Sequence, residues 1–425
     1  MDRRPIPSYI RLDRVRDTSQ LSSSRRGSGS RLDGRGGPYS VAPVKELARR
    51  GARVLAAVPD VSIVIPVLRR TDLAGPCLDS LSRLTTPPTF EVIVVANGSP
   101  DTAIAELSRR DDIVLVTSGV NLGFAGGCNW GARFARGRHL VLLNDDTEVE
   151  DGWLRALVQL VETDPGIGAV GSRILGFDGT LQEAGSVLWR DGGTYQVGRG
   201  LPPGTGLHTS VRAVDYSSAC GLLVRMSAWR EVGGFDDAYF PAYHEDVDLC
   251  LALRAAGYGV LYSPDARLRH HQGASAADVP LLTFAALRNG MYFCAKWAAT
   301  LDEYDVAPKP RSIDAAVEAA VRHGAERRPP ARTPAPAAGE DLEPPTEREG
   351  LARQIQALQN QSRLKDAFIA HLQEDLRRSR QPRATLEHLR PLARRIRHVI
   401  RRAGAAAGVR GVADRRGVST PPPEP

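Results

Sequence analysis

A chain of 425 residues is long enough for two or three domains, but its composition concentrates the foldable part in the middle. The net charge of +7 gathers in an Arg-rich amino-terminal stretch and in residues 377–402. No zinc spacing, RNP-like aromatic pattern or helix-turn-helix signal accompanies it, which excludes nucleic acid and favours an anionic lipid surface as partner. Five cysteines stand singly (Cys77, Cys128, Cys220, Cys250, Cys294), which excludes a disulfide scaffold and points to reduced thiols used as core filler. No run reaches the ~18 uninterrupted apolar residues of a spanning helix, so the expected location is cytoplasmic, or peripheral on the inner face of the plasma membrane.

Residues 1–53 lack apolar periodicity and are expected to form a basic, largely disordered tail. An α/β domain is expected over residues 54–300. It begins with VSIVIPV (61–67) and EVIVVANGS (91–99), β-branched runs that read as buried parallel strands. Between them Leu73, Cys77, Leu78, Leu81 and Leu84 recur at helical spacing. The pattern repeats with DIVLVTS (112–118), the Gly-rich NLGFAGGCNWG (121–131), a helix around Asn129–Ala135, and the strand HLVLLN (139–144) running into Asp145-Asp146. Strands alternating with helices predict a doubly wound, mostly parallel sheet whose ligands bind beyond the carboxyl ends of its strands.

An amphipathic helix from Trp153 to Val161 follows, then AVGSRIL (169–175), a polar Gly-rich stretch to about Arg212, and SACGLLVRMSAWREVGGFD (218–236). The long loops here read as binding elements. After Glu245-Asp246, Leu249 and Leu253 share a helix face, Gly257 ends that helix, and the strand GVLYSP follows. Residues 301–346 read as a Pro/Ala-rich linker, 347–402 as a helical extension and 403–425 as a disordered tail.

In the extension, Leu351, Ile355, Leu358, Leu364, Phe368, Leu372 and Leu376 keep approximately helical spacing, with Ser362 and Lys365 interrupting a strict heptad. This predicts a coiled coil or helical hairpin, and self-association through 351–376. From Pro382 a second helix sets Leu386, Leu389, Leu392, Ile396, Val399 and Ile400 among arginines. The stretch 383–402 is expected on an anionic membrane surface, with Pro391 dividing it.

Asn144-Asp145-Asp146 closes a buried strand, where a carboxylate can bind Mg²⁺ or Mn²⁺ and leave positions for phosphate oxygens and water. Asp146 is the expected ligand, and a helix-capping turn is the structural alternative. Glu245-Asp246 opens a helix behind Phe235, Tyr239, Phe240 and Tyr243. A fixed carboxylate there can take a proton from a sugar hydroxyl while aromatic rings stack on sugar faces, or it can simply cap the helix. Trp229 and Tyr243 are the acceptor-side candidates. Asp248 is expected to complete the first helical turn. One imidazole of His270-His271 can supply a nitrogen ligand. The glycines of 121–131 either make a tight turn or bring backbone N–H groups to a diphosphate.

Taken together, these residues resemble the family 2 glycosyltransferases, and within them the rhamnosyltransferase-like group, over about residues 60–300. IPV, VANGSPD, NLGFAGGCNWG, LLNDDTEV, GGFDDAYFPAYHEDVDLCLALRAAGY and HHQGAS occur in the family's order and approximate spacing. The resemblance implies the GT-A fold and inverting transfer of a sugar, rhamnose or a related deoxyhexose or furanose, from a nucleoside-diphosphate donor to a cell-surface glycan or lipid-linked acceptor. It implies Asp246 as the base, with Glu245 as the next candidate, and Mg²⁺ or Mn²⁺ held by Asp146 and His270, with His271 as the alternative. Donor contacts are assigned to Pro66, Asn97, Asn121, Gly123, Gly126, Gly127, Asn129, Asn144 and Asp145.

The chain departs from the family pattern in three places. Val67, Leu68 and Arg69 follow Pro66, so the usual stacking Tyr is absent; Ala96 precedes Asn97; and Asn144 replaces the first Asp of Asp-x-Asp. A nucleotidyltransferase would carry a Gly-rich loop after the first strand, which LRRTDL lacks. A non-catalytic scaffold has no need of Asp146, Asp246 and His270 together.

Overall fold

The computed structural model describes residues 58–68, 71–85, 87–204, 208–271, 279–308, 313–326 and 346–379. The tails 1–53 and 403–425, residues 272–275 of the His-x-x-Gly-x-Ser segment and the basic stretch 383–402 lie outside the described residues.

Strand β1 (Val61–Val67) is buried along its length except at Pro66, because a run apolar on both faces must be covered on both. It pairs in parallel with β2 (Phe90–Asn97) on one side and β4 (His139–Leu143) on the other, and β3 (Val114–Ser118) extends the sheet from β2. Helices α1 (Thr71–Ser82), α2 (Asp101–Leu107) and α3 (Gly123–Ala132) connect these strands. Alternation along β1 divides the core: Val64 joins the α3 side with Val95, Cys128, Trp130 and Leu142, while Ile63 and Ile65 join Cys77, Leu78 and Trp153 opposite. Helix α3 lies so close that a Cβ on Gly131 would fall 2.4 Å from Val64 Cγ1.

Beyond β4 the sheet is no longer purely parallel. After β5 (Thr147–Val149), α4 (Trp153–Val161), β6 (Ile167–Leu175), β7 (Leu181–Ala184), the hairpin of β8 (Ser186–Leu188) and β9 (Thr194–Gln196), and the short β10 (Arg212–Ala213), strand β11 (Gly221–Arg225) inserts antiparallel between β4 and β6. Helices α5 (Met226–Val232) and α6 (Glu245–Ala255) lead to β12 (Gly259–His270), which runs parallel to β6. The order is β10-β12-β6-β11-β4-β1-β2-β3, with β5 on β12 and β7 on β6. The expected doubly wound α/β sheet is present, with β11 as an antiparallel insertion that local pattern does not reveal. Strand β12 also extends six residues beyond GVLYSP, and that extension carries His270.

Four of the five cysteines are buried and Cys294 is half-buried, and none of the five is in a disulfide. Helices α7 (Val279–Lys296) and α8 (Ala298–Leu301) close the expected domain, but part of the expected linker is structured. There α9 (Ile313–Glu326) packs Val317 and Ala320 on Val187, Trp189 and Val197. Its alanines favour helix, and its valine and alanine at three-residue spacing supply the apolar stripe. Helix α10 (Glu347–Ser379) docks as well, through Leu364 against Phe240 and Ala285 and an ion pair of Arg353 with Asp237 at 3.1 Å. Among the described residues no helix is long and apolar enough to cross a membrane.

Candidate active site

Strand β4 ends at Leu143, the Asn144-Asp145-Asp146 turn reverses the chain, and β5 pairs antiparallel with the end of β12, setting His270 opposite Thr147. This register brings His270 Nε2 to 3.1 Å from Asp146 Oδ1, and the His271 N–H donates to the Asp146 carbonyl at 2.9 Å. Asp145 is buried in the same turn. His271, the alternative ligand, instead stacks on Phe177 with ring centroids 3.7 Å apart.

Gln182 on β7 selects the tautomer of His270. Its Nε2 donates to the His270 carbonyl at 2.6 Å, so its Oε1 accepts from Nδ1–H at 3.0 Å and the ring presents a bare Nε2 to the turn. Asn144 Nδ2 lies 3.3 Å from that nitrogen. Asp146 Oδ1 and Asn144 Oδ1 are both buried without a hydrogen-bond donor.

Two orphaned oxygens beside an imidazole lone pair form an acceptor-only cluster, and a divalent cation satisfies such a cluster. Among the described residues no group of three or more His, Cys, Asp or Glu gathers. The fit to Mg²⁺ or Mn²⁺ rests on the two orphaned oxygens and the imidazole alone, with most positions left to phosphate oxygens and water.

The second half of the site is the start of α6. Tyr243 and His244 both have left-handed backbones, with φ of 80° and 72°. Such residues cost about 1–3 kcal/mol each and persist only where the surroundings enforce them. Here the enforcing group is Asn289 of α7, fully buried, whose Nδ2 reaches the carbonyls of Tyr239, Ala242 and Tyr243 at 2.7, 2.9 and 3.1 Å. The bend turns the Tyr243 side chain outward, 45% exposed, and Glu245 inward. Sequence reading missed Asn289, although a lone amide among the apolar residues of α7 was a usable signal.

Both carboxyls at this bend are pushed up by burial, to different degrees. Glu245 lies well above its ordinary value because burial and the Asp246 charge both oppose ionisation, and its Oε2 has no partner. Asp246 is half-buried; burial raises it, while the amides of Val247 (2.9 Å) and Ala219 and the Ser218 hydroxyl favour its charged form. Of the two, Asp246 is the more exposed. Glu183, buried next to Gln182, accepts from Ser217 Oγ at 3.0 Å and the Ser218 N–H at 2.9 Å, and burial pushes it up to about 7. The two halves border one short segment before β11: Asn144 N donates to the Cys220 carbonyl at 3.4 Å, while the Ala219 amide and the Ser218 hydroxyl serve Asp246.

Asp248 does more than complete the first helical turn. It accepts from Tyr239 Oη at 2.9 Å, Lys296 Nζ at 2.9 Å and Trp297 Nε1 at 2.8 Å, tying α6 to α7. Lys296 keeps Asp236 at 2.9 Å, so removing Asp248 chiefly strands the tyrosine hydroxyl and the indole N–H. Asp248→Ala is expected to destabilise the fold by about 2–4 kcal/mol. Thermal or urea unfolding checks this, with Asp248→Asn, which keeps an acceptor, losing less.

Most of the expected donor contacts have internal partners. Asn97 is buried, with Oδ1 accepting from Leu122 N at 2.7 Å and Nδ2 donating to the Gly123 carbonyl at 2.9 Å. Asn121 Oδ1 takes the Gly123 N–H at 2.8 Å, and Phe124 N donates to the Pro241 carbonyl at 2.7 Å. Three successive amides at the start of α3 are thus occupied, and a phosphate cradle there is not supported. Gly123 has a φ of 74°, and Gly127 sits against Pro66 and Asn97, where a Cβ would come within 3.1 Å of each. Gly126 similarly faces Leu122. Asn129 clasps the GGFDD segment through Phe235 and Asp237. Trp229 is buried in the core, edge-on to Phe235 at 5.3 Å, and offers no ring face to an acceptor. These side chains turn inward because each closes a loop that would otherwise bury unpaired backbone groups.

A profile described as Glycosyl transferase family 2 matches residues 62–217. The O-antigen biosynthesis protein RfbC of Myxococcus xanthus is 35% identical over 266 residues, which cover 59% of this chain and 20% of that protein. An N-acetylglucosaminyl-diphospho-decaprenol L-rhamnosyltransferase of Mycobacterium tuberculosis is 32% identical over 261 residues, 54% of this chain and 83% of that protein. Among solved structures, the mannosyltransferase PcManGT from Pyrobaculum calidifontis in complex with GDP-Man and Mn²⁺ is 15% identical, with a TM-score of 0.43 over 88% of this chain and 91% of that one. The likeness, which spans most of the mycobacterial protein, shows that this chain belongs to glycosyl transferase family 2, in its rhamnosyltransferase-like group.

Proposed function

We propose that this chain is an inverting glycosyltransferase that moves a deoxyhexose such as rhamnose from a nucleoside-diphosphate donor to a hydroxyl of a lipid-linked or cell-surface glycan. The observation that supports this reading is that the acceptor-only cluster at Asp146, Asn144 and His270 and the half-buried Asp246 carboxylate border the same segment, residues 218–220. The lipid-linked acceptor and the deoxyhexose rest on the name of the mycobacterial relative.

Asp146 and His270 would hold the cation, with Asn144 Oδ1 as a further donor, and a bound Mg²⁺ or Mn²⁺ supplies positive charge to the departing diphosphate. Asp246 takes the acceptor proton as that oxygen attacks the anomeric carbon from the face opposite the leaving group. The new C–O bond forms as the bond to the diphosphate breaks, and the proton ends on Asp246. Burial and the Asp246 charge disfavour the charged form of Glu245 beside it. The outward Tyr243 ring offers a stacking surface to the sugar.

A panel of nucleotide sugars assayed with Mn²⁺, then with EDTA, tests the proposal. At least one nucleoside-diphosphate deoxyhexose should be turned over, with activity lost to chelation and restored by Mg²⁺ or Mn²⁺. In a thermal-shift screen that donor, at ~100 times its dissociation constant, should add about 2.7 kcal/mol of stability. Formation of a nucleotide sugar from nucleoside triphosphate and sugar phosphate would assign nucleotidyl transfer instead, and donor binding without turnover would make the chain a scaffold.

A further inference from the structure

We propose that this chain forms a homodimer through the outer face of α10, with the two helices antiparallel. Helix α10 carries two apolar stripes. One is docked: Leu364 is 1% exposed against Phe240 and Ala285, and the Phe368 ring lies 5.3 Å from that of Phe284. The other lies across the helix and consists of Ile355, Leu358, Ser362, Lys365, Ile369 and Leu372, all exposed. Its four apolar members are between 48% and 56% exposed. The gaps of three and four residues alternate without a break, which is the 3.5-residue period of a coiled-coil seam and not the pattern of a solvated face.

The occupant follows from the order of residues along this seam. In polarity the seam (apolar, apolar, polar, polar, apolar, apolar) reads the same way from either end about the midpoint of residues 363 and 364, with Ser362 and Lys365 at its centre. A twofold axis there sets Ile355 opposite the partner's Leu372 and Leu358 opposite the partner's Ile369. Ser362 then meets the partner's Lys365, so an ammonium that would otherwise lie in an apolar seam gains a hydroxyl acceptor. Gln359 and Asp366, which flank the seam on one side, fall opposite each other, and no like charges meet. A parallel pair would instead set Lys365 against the partner's Lys365, which opposes association.

The exposed seam runs roughly 27 Å, short for a free coiled coil. Docking on the domain already holds α10 in helical form, so dimerisation does not bear the ordering cost that makes isolated helices of this length marginal.

Sedimentation equilibrium of the full chain, with three variants, tests the proposal. Wild type should show a reversible monomer–dimer equilibrium. Leu358→Lys alone and Ile369→Glu alone should each weaken dimerisation by at least about tenfold, with far-UV circular dichroism and melting temperature unchanged. The double variant Leu358→Lys with Ile369→Glu should recover the dimer, because antiparallel pairing sets the introduced unlike charges opposite each other. Loss of dimer in the singles without recovery in the double overturns the antiparallel register. A dimer indifferent to all three changes overturns the α10 surface, as does a chain that stays monomeric, where a lowered melting temperature in the singles would show the face covered by another part of the same chain.

Discussion

Asp246→Asn is expected to lower turnover by ~10²–10⁴-fold while leaving donor affinity nearly unchanged. The substitution is close to isosteric, and its side-chain oxygen can still accept from Val247 N, so the start of α6 keeps its bond. What is lost is the proton acceptor, and that loss is felt only when the acceptor hydroxyl attacks. Single-turnover rates and donor titration separate the two quantities. Glu245→Gln serves as the control: a carboxyl whose charged form burial and Asp246 already disfavour is expected to lose little when replaced by an amide. Retained turnover in Asp246→Asn together with a dead Glu245→Gln would transfer the base to Glu245.

The same assignment sets a pH dependence. A base must be ionised, so activity falls as pH drops through its pKa. Burial raises Asp246, which places the acid limb of kcat/KM above the ordinary aspartate range. Because the two carboxyls titrate as a pair, the limb reports that pair. An acid limb at or below the ordinary range would count against Asp246.

Asp146→Ala is expected to abolish the metal-dependent part of donor binding, because it removes the one charged oxygen of the acceptor-only cluster. Gln182→Ala should give a graded version of the same effect. It leaves both ligands in place but frees the His270 ring and its tautomer, for which a loss of about 10–100-fold in metal affinity is expected. Calorimetric titration of a nucleotide sugar with and without Mn²⁺ measures both. Equal, metal-dependent affinity in wild type and Asp146→Ala would overturn the site.

Much of the chain could be read without coordinates. β1, β2 and β4 were visible as short β-branched runs, since only strands covered on both faces tolerate uninterrupted apolar sequence. The acids at the ends of such runs marked where a site forms. The outer face of α10 was also legible in part: Ile355, Leu358 and Leu372 were seen, and Ser362 and Lys365 were read as interruptions of the very seam whose symmetric centre they form.

Amino-acid pattern alone determined the burial of the β-branched runs, the period of helices such as α1 and α4, and the acids and imidazoles available for chemistry, because these are local consequences of apolar spacing; it did not show the buried face of α9. Only the tertiary structure decided which partner each polar side chain takes. It set β11 antiparallel between β4 and β6, turned Asn97 and Asn129 inward to close loops, and buried Trp229. It also set His270, and not His271, beside Asp146, through a β5–β12 register and a glutamine from β7 some ninety residues earlier in the chain. Neither strand direction nor the partner of a buried amide is encoded in neighbouring residues. Both follow from the requirement that every backbone and side-chain polar group find a partner once the whole sheet has assembled.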